Sequence, residues 1–206
     1  CALPISALME TLIDFSDPLL WRAVACIIAA PLIWNILARL EYKTHLLTFL
    51  ACGNKYLGCY CLAIWIFCFS SYRDFMFHSV VESQPTLDLI SAPVASFCFA
   101  VFGGFGSILV MSSFYQLGIT GTFLGDYFGI LMSAKVEAFP FSVVSDPMYL
   151  GATLIFTGTT IYRQSPAGAF LTLCVFVVYK FAEQLEDAFT ANIYAEAARK
   201  KALKTK

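Results

Sequence analysis

Charge is what this chain lacks. Only 13% of its 206 residues are Asp, Glu, Lys or Arg, against about a quarter in an ordinary soluble domain. A water-soluble globule is excluded on that ground. Basic excess is missing too: 13 Lys+Arg stand against 14 Asp+Glu, a formal charge of -1, which leaves no electrostatic footprint for nucleic acid. Disorder needs low hydrophobicity and high net charge, and neither is present. Histidine is scarce, and His45 and His78 lie 33 residues apart in segments expected on opposite sides, so no metal centre is expected. Eight cysteines do not form a disulfide framework in this reading. Cys26, Cys59, Cys61, Cys68, Cys98 and Cys174 sit inside apolar runs, as small buried hydrophobes with free thiols.

What is abundant is apolar surface: 59% of residues are hydrophobic and 16% aromatic. Uncharged stretches run over 23–38, 56–72, 89–125, 147–162 and 164–179. The four shorter ones make helices of about 24 to 26 Å at 1.5 Å per residue, a little under the roughly 30 Å hydrocarbon thickness. Flanking Arg22, Arg39, Lys55, Arg73, Arg163 and Lys180 can snorkel across the difference, and a thin bilayer such as that of the endoplasmic reticulum suits such spans. The expectation is an all-α integral membrane protein, a single domain over 1–206, built as a bundle of four to five transmembrane or intramembrane helices. The expected segments are about 19–39, 56–73, 89–112, 147–163 and 165–187. Pro31 leaves the first open to a re-entrant alternative. Gln164, Ser165 and Pro166 mark a tight helical hairpin between the last two.

Five crossings would leave only Arg22, Arg73 and Arg163 on one side and the other ten basic residues with the C-terminus. The positive-inside rule then places the C-terminus in the cytosol. The loop 112–146 and the tail from 180 share that side, where soluble cofactors are found.

Polar clusters at a membrane rim are functional candidates by default. The first is Gly118–Gly129, with four glycines and Asp126 in twelve residues; a membrane-surface loop anchored by its aromatics is the alternative. The second is Glu183, Glu186 and Asp187, which the spacings 3 and 4 bring to one helical face, the alternative being a solvated helix end. Gly103, Gly104 and Gly106 form the third. Ser96, Ala100 and Gly104 recur every four residues as a small-residue packing stripe, so packing competes with ligand binding there. No strand precedes these glycines, which excludes a dinucleotide fold of the strand-and-helix type. A transporter or channel subunit is the remote alternative, without visible inverted repeats.

The text from Leu109 onward is similar to the phospholipid N-methyltransferase family, on the side of its fungal members. The matching residues are Leu109-Val110-Met111-Ser112-Ser113 and Gly118 through Leu131. Phe139-Pro140-Phe141, Pro147-Met148-Tyr149, Gly151, Phe189-Thr190-Ala191, Ile193 and Tyr194 continue the match. Pro31, Trp34-Asn35, Ala38-Arg39 and Glu41 extend it toward the start. The resemblance implies methylation of phosphatidyl-N-methylethanolamine and its dimethyl form to phosphatidylcholine, with phosphatidylethanolamine as a further substrate. It implies S-adenosyl-L-methionine as the methyl donor, held by Gly104-Phe105-Gly106 and by the acidic pair Glu186-Asp187, with no metal. The family's pair is usually Glu-Glu-Pro; here Asp187 and Ala188 follow Glu186, and an alignment shifted to Glu183 is the alternative. Asp126, Tyr127 and Tyr149 are the catalytic candidates, Asp126 as base and the tyrosines as aromatic faces for the head group. Pro147-x-Tyr149-x-Gly151 also resembles the isoprenylcysteine carboxyl methyltransferases, which typically carry Arg-His before the proline. Ser145-Asp146 stands there instead, which favours an amine lipid over a prenylated-protein carboxylate. The partners implied are a phospholipid drawn from the bilayer and the membrane itself, with no nucleic acid and no oligomeric state specified. The endoplasmic reticulum is the expected membrane, a mitochondrial membrane a second location.

Overall fold

Local signals in the sequence start and stop each helix. Asp17 accepts the amide of Leu19 at 2.8 Å ahead of Pro18, satisfying one of the orphan donors of a first turn. The helix it opens, α1 (Pro18–Thr44), ends where His45 takes a left-handed conformation. Pro31 does not break it, so the first segment is one continuous helix of 27 residues. Glu41, fully buried, then receives the amides of Leu47 and Thr48 and the Thr48 hydroxyl. That carboxylate caps the short α2 (Leu46–Leu50) and turns the chain back. Asn54 caps α3 (Lys55–Ser83) through the amides of Tyr56 and Leu57.

The computed structural model describes residues 12–134 and 136–204 and contains no strand among them. The long apolar run becomes α4 (Ala92–Thr122), bent at Gly118, whose φ of 62° and ψ of -173° require glycine. A 3-10 turn over Gly125–Phe128 follows and drives Tyr127 and Phe128 into the core. α5 (Pro147–Arg163) and α6 (Pro166–Lys204) form the expected hairpin, with Gln164 left-handed at its tip. The Gln164 side chain accepts the amides of Leu89 and Ile90 at 2.7 and 2.9 Å, tying that tip to the entry of α4.

The core lies between α1, α3 and α6. Leu20, Ala23, Ile27, Ala30, Trp34 and Ala38 recur at helical spacing on α1 and meet Leu62, Phe77, Val80 and Val81 of α3 and Leu171 and Val175 of α6. Phe97, Phe105, Ile108, Met111 and Tyr115 of α4 stay exposed, as expected of a helix whose outer face meets lipid. Among the described residues three helices are long and apolar enough to cross a membrane: Pro18–Thr44, Ala92–Phe128 and Pro166–Leu203.

Several expectations are corrected. Arg73 does not end a segment at the rim: α3 continues ten residues beyond it, and Arg73 is only 5% exposed. Its guanidinium is held by Asp74 and by the Tyr179 hydroxyl on α6, with the rings of Phe156 and Tyr179 beside it. Among the intramembrane cysteines only Cys59 is buried, while Cys61 and Cys68 face outward. The packing stripe of α4 is also offset by one residue. Ser96, Ala100 and Gly104 are exposed, and the buried register is Ala95, Gly103, Gly106 and Leu109. α5 presses on that register: a Cβ on Gly106 would stand 2.5 Å from the carbonyl oxygen of Gly151, and one on Gly158 would stand 3.1 Å from the amide nitrogen of Gly103.

Candidate functional site

Four elements converge where α6 passes the ends of α1 and α5. Trp34 and Asn35 are consecutive in α1, and both donate to Glu186 Oε1, each at 2.8 Å. Tyr149, two residues into α5, donates to Glu186 Oε2 at 2.9 Å. α4 and α5 cross closely at Gly106 and Gly151, two residues along α5 from Tyr149. Three neutral donors thus hold one carboxylate, and no cation stands within 4.0 Å of it among the described residues. Buried carboxylates are normally paired. Glu186 is held here by neutral donors alone, an arrangement chemically suited to a positive ligand.

The 3-10 turn closes the site from another side. Asp126 Oδ2 accepts the Thr190 hydroxyl at 2.8 Å, and the Tyr127 ring stacks on Phe189 at 5.0 Å and 9°. Two buried polar atoms here have no partner, Asn35 Oδ1 and the Tyr127 hydroxyl. Buried polar groups without partners are rare, and each calls for an explanation.

A cleft of about 140 Å³ opens beside Tyr149, lined by Asp146, Tyr149, Phe176, Tyr179, Lys180 and Glu183. The Tyr149 and Tyr179 rings lie 4.7 Å apart on its wall, and Arg73 fixes Tyr179 from the core side. Aromatic faces next to carboxylates suit an alkylammonium group. Asp146 precedes α5 in the loop, and its Oδ2 is buried without a partner. Burial, then a hydrogen bond with the Glu183 carboxyl and the charges of Asp187 and Glu183, push the Asp146 carboxyl up to about 8.

The structure therefore unites Glu186, Tyr149, Tyr127 and Asp126 around α6. Glu183 lies one turn earlier, bonded to Lys180 at 2.6 Å. Gly106 sits in the α4–α5 contact. Gly104 and Phe105 stand on the outer face of α4, and nothing lies within 4 Å of a Cβ built on Gly104. Asp146, Tyr179 and Arg73 were not anticipated as site residues. Asn35 carries a signal, being a polar side chain inside an apolar run; Asp146 reads as a departure from the Arg-His of the carboxyl methyltransferases, with nothing to place it beside Glu183.

The phospholipid methyltransferase family model matches residues 94–197. Phosphatidyl-N-methylethanolamine N-methyltransferase of Emericella nidulans is 48% identical over 191 residues, 92% of each chain. The enzyme of that name from Saccharomyces cerevisiae is 43% identical over 189 residues, 92% of this chain and 91% of the relative. Human phosphatidylethanolamine N-methyltransferase is 42% identical over 193 residues, 92% of this chain and 96% of the relative. No solved structure matches.

Proposed function

The chain belongs to the phospholipid methyltransferase family, and from that premise we propose that it methylates the amine of phosphatidyl-N-methylethanolamine and of its dimethyl form, yielding phosphatidylcholine. The observation that carries this reading is Glu186, a buried carboxylate held by three neutral donors with no cation within 4.0 Å among the described residues. The residues fit S-adenosyl-L-methionine as donor: Glu186 and Asp187 supply negative charge, and Asn35 Oδ1 and the Tyr127 hydroxyl are buried polar atoms awaiting a partner. Gly104, Phe105 and Gly106 join the donor site on the strength of the family resemblance. Bound S-adenosyl-L-methionine supplies an electrophilic methyl group on a sulfonium.

The chain's own contribution is positioning and proton handling. Tyr149 and Tyr179 present ring faces to the head-group ammonium in the cleft. The amine must lose a proton before its lone pair can attack. Asp126 and Asp146 are the aspartates at the site, and Glu183 on the cleft wall is engaged by Lys180. Asp126 already holds Thr190, whereas Asp146 Oδ2 is unpartnered, so the cleft favours Asp146. Lipid reaches the cleft sideways from the bilayer. The enzyme works in the endoplasmic reticulum membrane with its C-terminus cytosolic, a topology supported by the bias of basic residues toward that side.

The test is incubation of purified protein with labelled donor and each of phosphatidylethanolamine and its mono- and dimethyl forms. Label should enter the mono- and dimethyl lipids. Failure to label any of the three overturns the reading.

A further inference from the structure

Arg39 is a cation without an anion. Its Nη2 donates to the carbonyl of Leu185 at 2.9 Å, its guanidinium lies 4.8 Å over the Phe189 ring, and its Nε is buried with no partner. No carboxylate stands within 4.0 Å of it among the described residues. Glu186, the next residue after Leu185, is the opposite case, an anion without a cation. Asn35 and Arg39 are four apart on α1 and share a face, so the helix that steers Glu186 through Asn35 also carries Arg39 one turn further on. Each charge is pinned by neutral groups rather than by the other. The Tyr127 hydroxyl, on a residue only 1% exposed, is unpartnered and within electrostatic reach of both.

We propose that Glu186 and Arg39 are the two ends of one receptor for a zwitterion, Glu186 taking the ammonium end and Arg39 the anionic oxygens. A buried charge without a counter-charge is costly, and Glu186, with the half-buried Arg39 bonded to the carbonyl of the residue before it, can be relieved by one dipolar ligand. The planar guanidinium fork suits a carboxylate or a phosphate. Two molecules of the proposed reaction carry that chemistry: the donor, through its amino-acid end, and the lipid, through its phospho-ammonium head. The inference rests on that reading for its ligands, but it is tested by binding.

The experiment uses the full chain in lipid nanodiscs, with calorimetric titration of S-adenosylhomocysteine and of its decarboxylated analogue, and with saturation by phosphatidyl-N-methylethanolamine. If Arg39 reads the donor, Arg39→Gln weakens S-adenosylhomocysteine about 10- to 100-fold and leaves the decarboxylated analogue unchanged. If it reads the lipid, nucleoside affinity is unchanged and half-saturating lipid rises by a similar factor. Arg39→Lys should fall between, keeping charge and losing the fork. Unchanged binding of both ligands overturns the proposal. Should Arg39→Gln fail to fold, the wild-type chain decides: removing the carboxylate from the nucleoside, or replacing the lipid phosphate by a neutral carbonate, must cost at least about tenfold in one case. No loss in either overturns it equally. Loss of binding in Arg39→Gln together with absence of any lipid methylation by the wild-type chain would retain the receptor and discard the assigned reaction.

Discussion

The Tyr149 hydroxyl donates to Glu186 Oε2 at 2.9 Å, bolting α5 to α6 at the point where Trp34 and Asn35 of α1 hold the other oxygen. Three helices thus depend on one carboxylate, and its replacement has two separable effects. Glu186→Gln removes the charge while its amide can still accept from Trp34 and Asn35 and donate to the Tyr149 hydroxyl. We expect donor affinity to fall about 10- to 100-fold, since charge-assisted hydrogen bonds contribute roughly 1.5 to 3 kcal/mol each. Tyr149→Phe keeps the charge and removes one of the three hydrogen bonds that hold it, a charge-assisted bond of about 1.5 to 3 kcal/mol, so its effect on donor binding, felt only through the carboxylate's placement, should be smaller than that of Glu186→Gln. Calorimetry on both variants checks the order. A larger loss in Tyr149→Phe would mean that Glu186 serves the fold rather than the donor.

Asp187→Glu restores the family's usual acidic pair and should leave activity intact. Glu183→Gln should leave donor affinity within about threefold, because Glu183 is engaged with the exposed Lys180 and such ion pairs contribute little. Nucleoside titration of both variants measures this. Damage confined to Glu183→Gln would move the donor one turn deeper along α6.

The glycine pair separates packing from binding. Gly106→Ala places a Cβ 2.5 Å from the Gly151 carbonyl oxygen, so the helix crossing must open, at a cost of about 1 to 3 kcal/mol. Thermal unfolding should drop by several degrees. A Cβ on Gly104 meets nothing within 4 Å and the residue is exposed, so Gly104→Leu should unfold as the wild type does. If the donor lies against that face, as the family resemblance implies, its affinity falls at least about tenfold on losing a well-placed contact of about 1.4 kcal/mol. Unchanged affinity in Gly104→Leu would confine the donor to the α1–α6 cluster.

Much of the helix plan was legible because apolar runs and caps are local. Gln164 and Pro166 announce their boundary by residue type alone, and Glu186 and Asp187 stand out as carboxylates at a rim. Arg73 misled because a charge was taken as the end of a span. The apolar face of Phe77, Val80 and Val81 carries α3 past it, and Tyr179 and Asp74 make its burial tolerable. The stripe on α4 misled by one register step, since Gly103 and Gly104 are equally small and only α5 decides which is covered. Asp146 was invisible because its neighbours Glu183 and Asp187 are about 40 residues away in sequence.

The topology predicts that protease added outside sealed microsomes trims the tail after Tyr194 while the α5–α6 turn around Gln164 stays protected. Mass analysis of the fragments checks both. Cleavage at the turn with a protected tail would invert the assignment.

Asp146 gives the pH dependence. Its carboxyl, raised to about 8 by burial and by Glu183 and Asp187, returns to about 3.9 in the unfolded chain. Between those values the folded protein binds more protons than the unfolded one, so stability falls as pH rises through that window and levels off above it. Lys180, on the same wall of the cleft, opposes the shift without cancelling it. Asp146→Asn should remove that slope, which thermal unfolding from pH 5 to 9 would show. If Asp146 accepts the amine proton, activity in the wild type climbs through an acid limb near pH 8, because only the carboxylate can act as base. Asp146→Asn then loses about 100-fold or more in turnover with donor affinity little changed. Asp126→Asn should instead loosen the 3-10 turn from Thr190 and leave the acid limb in place. An acid limb that survives in Asp146→Asn and vanishes in Asp126→Asn would transfer the role of base to Asp126.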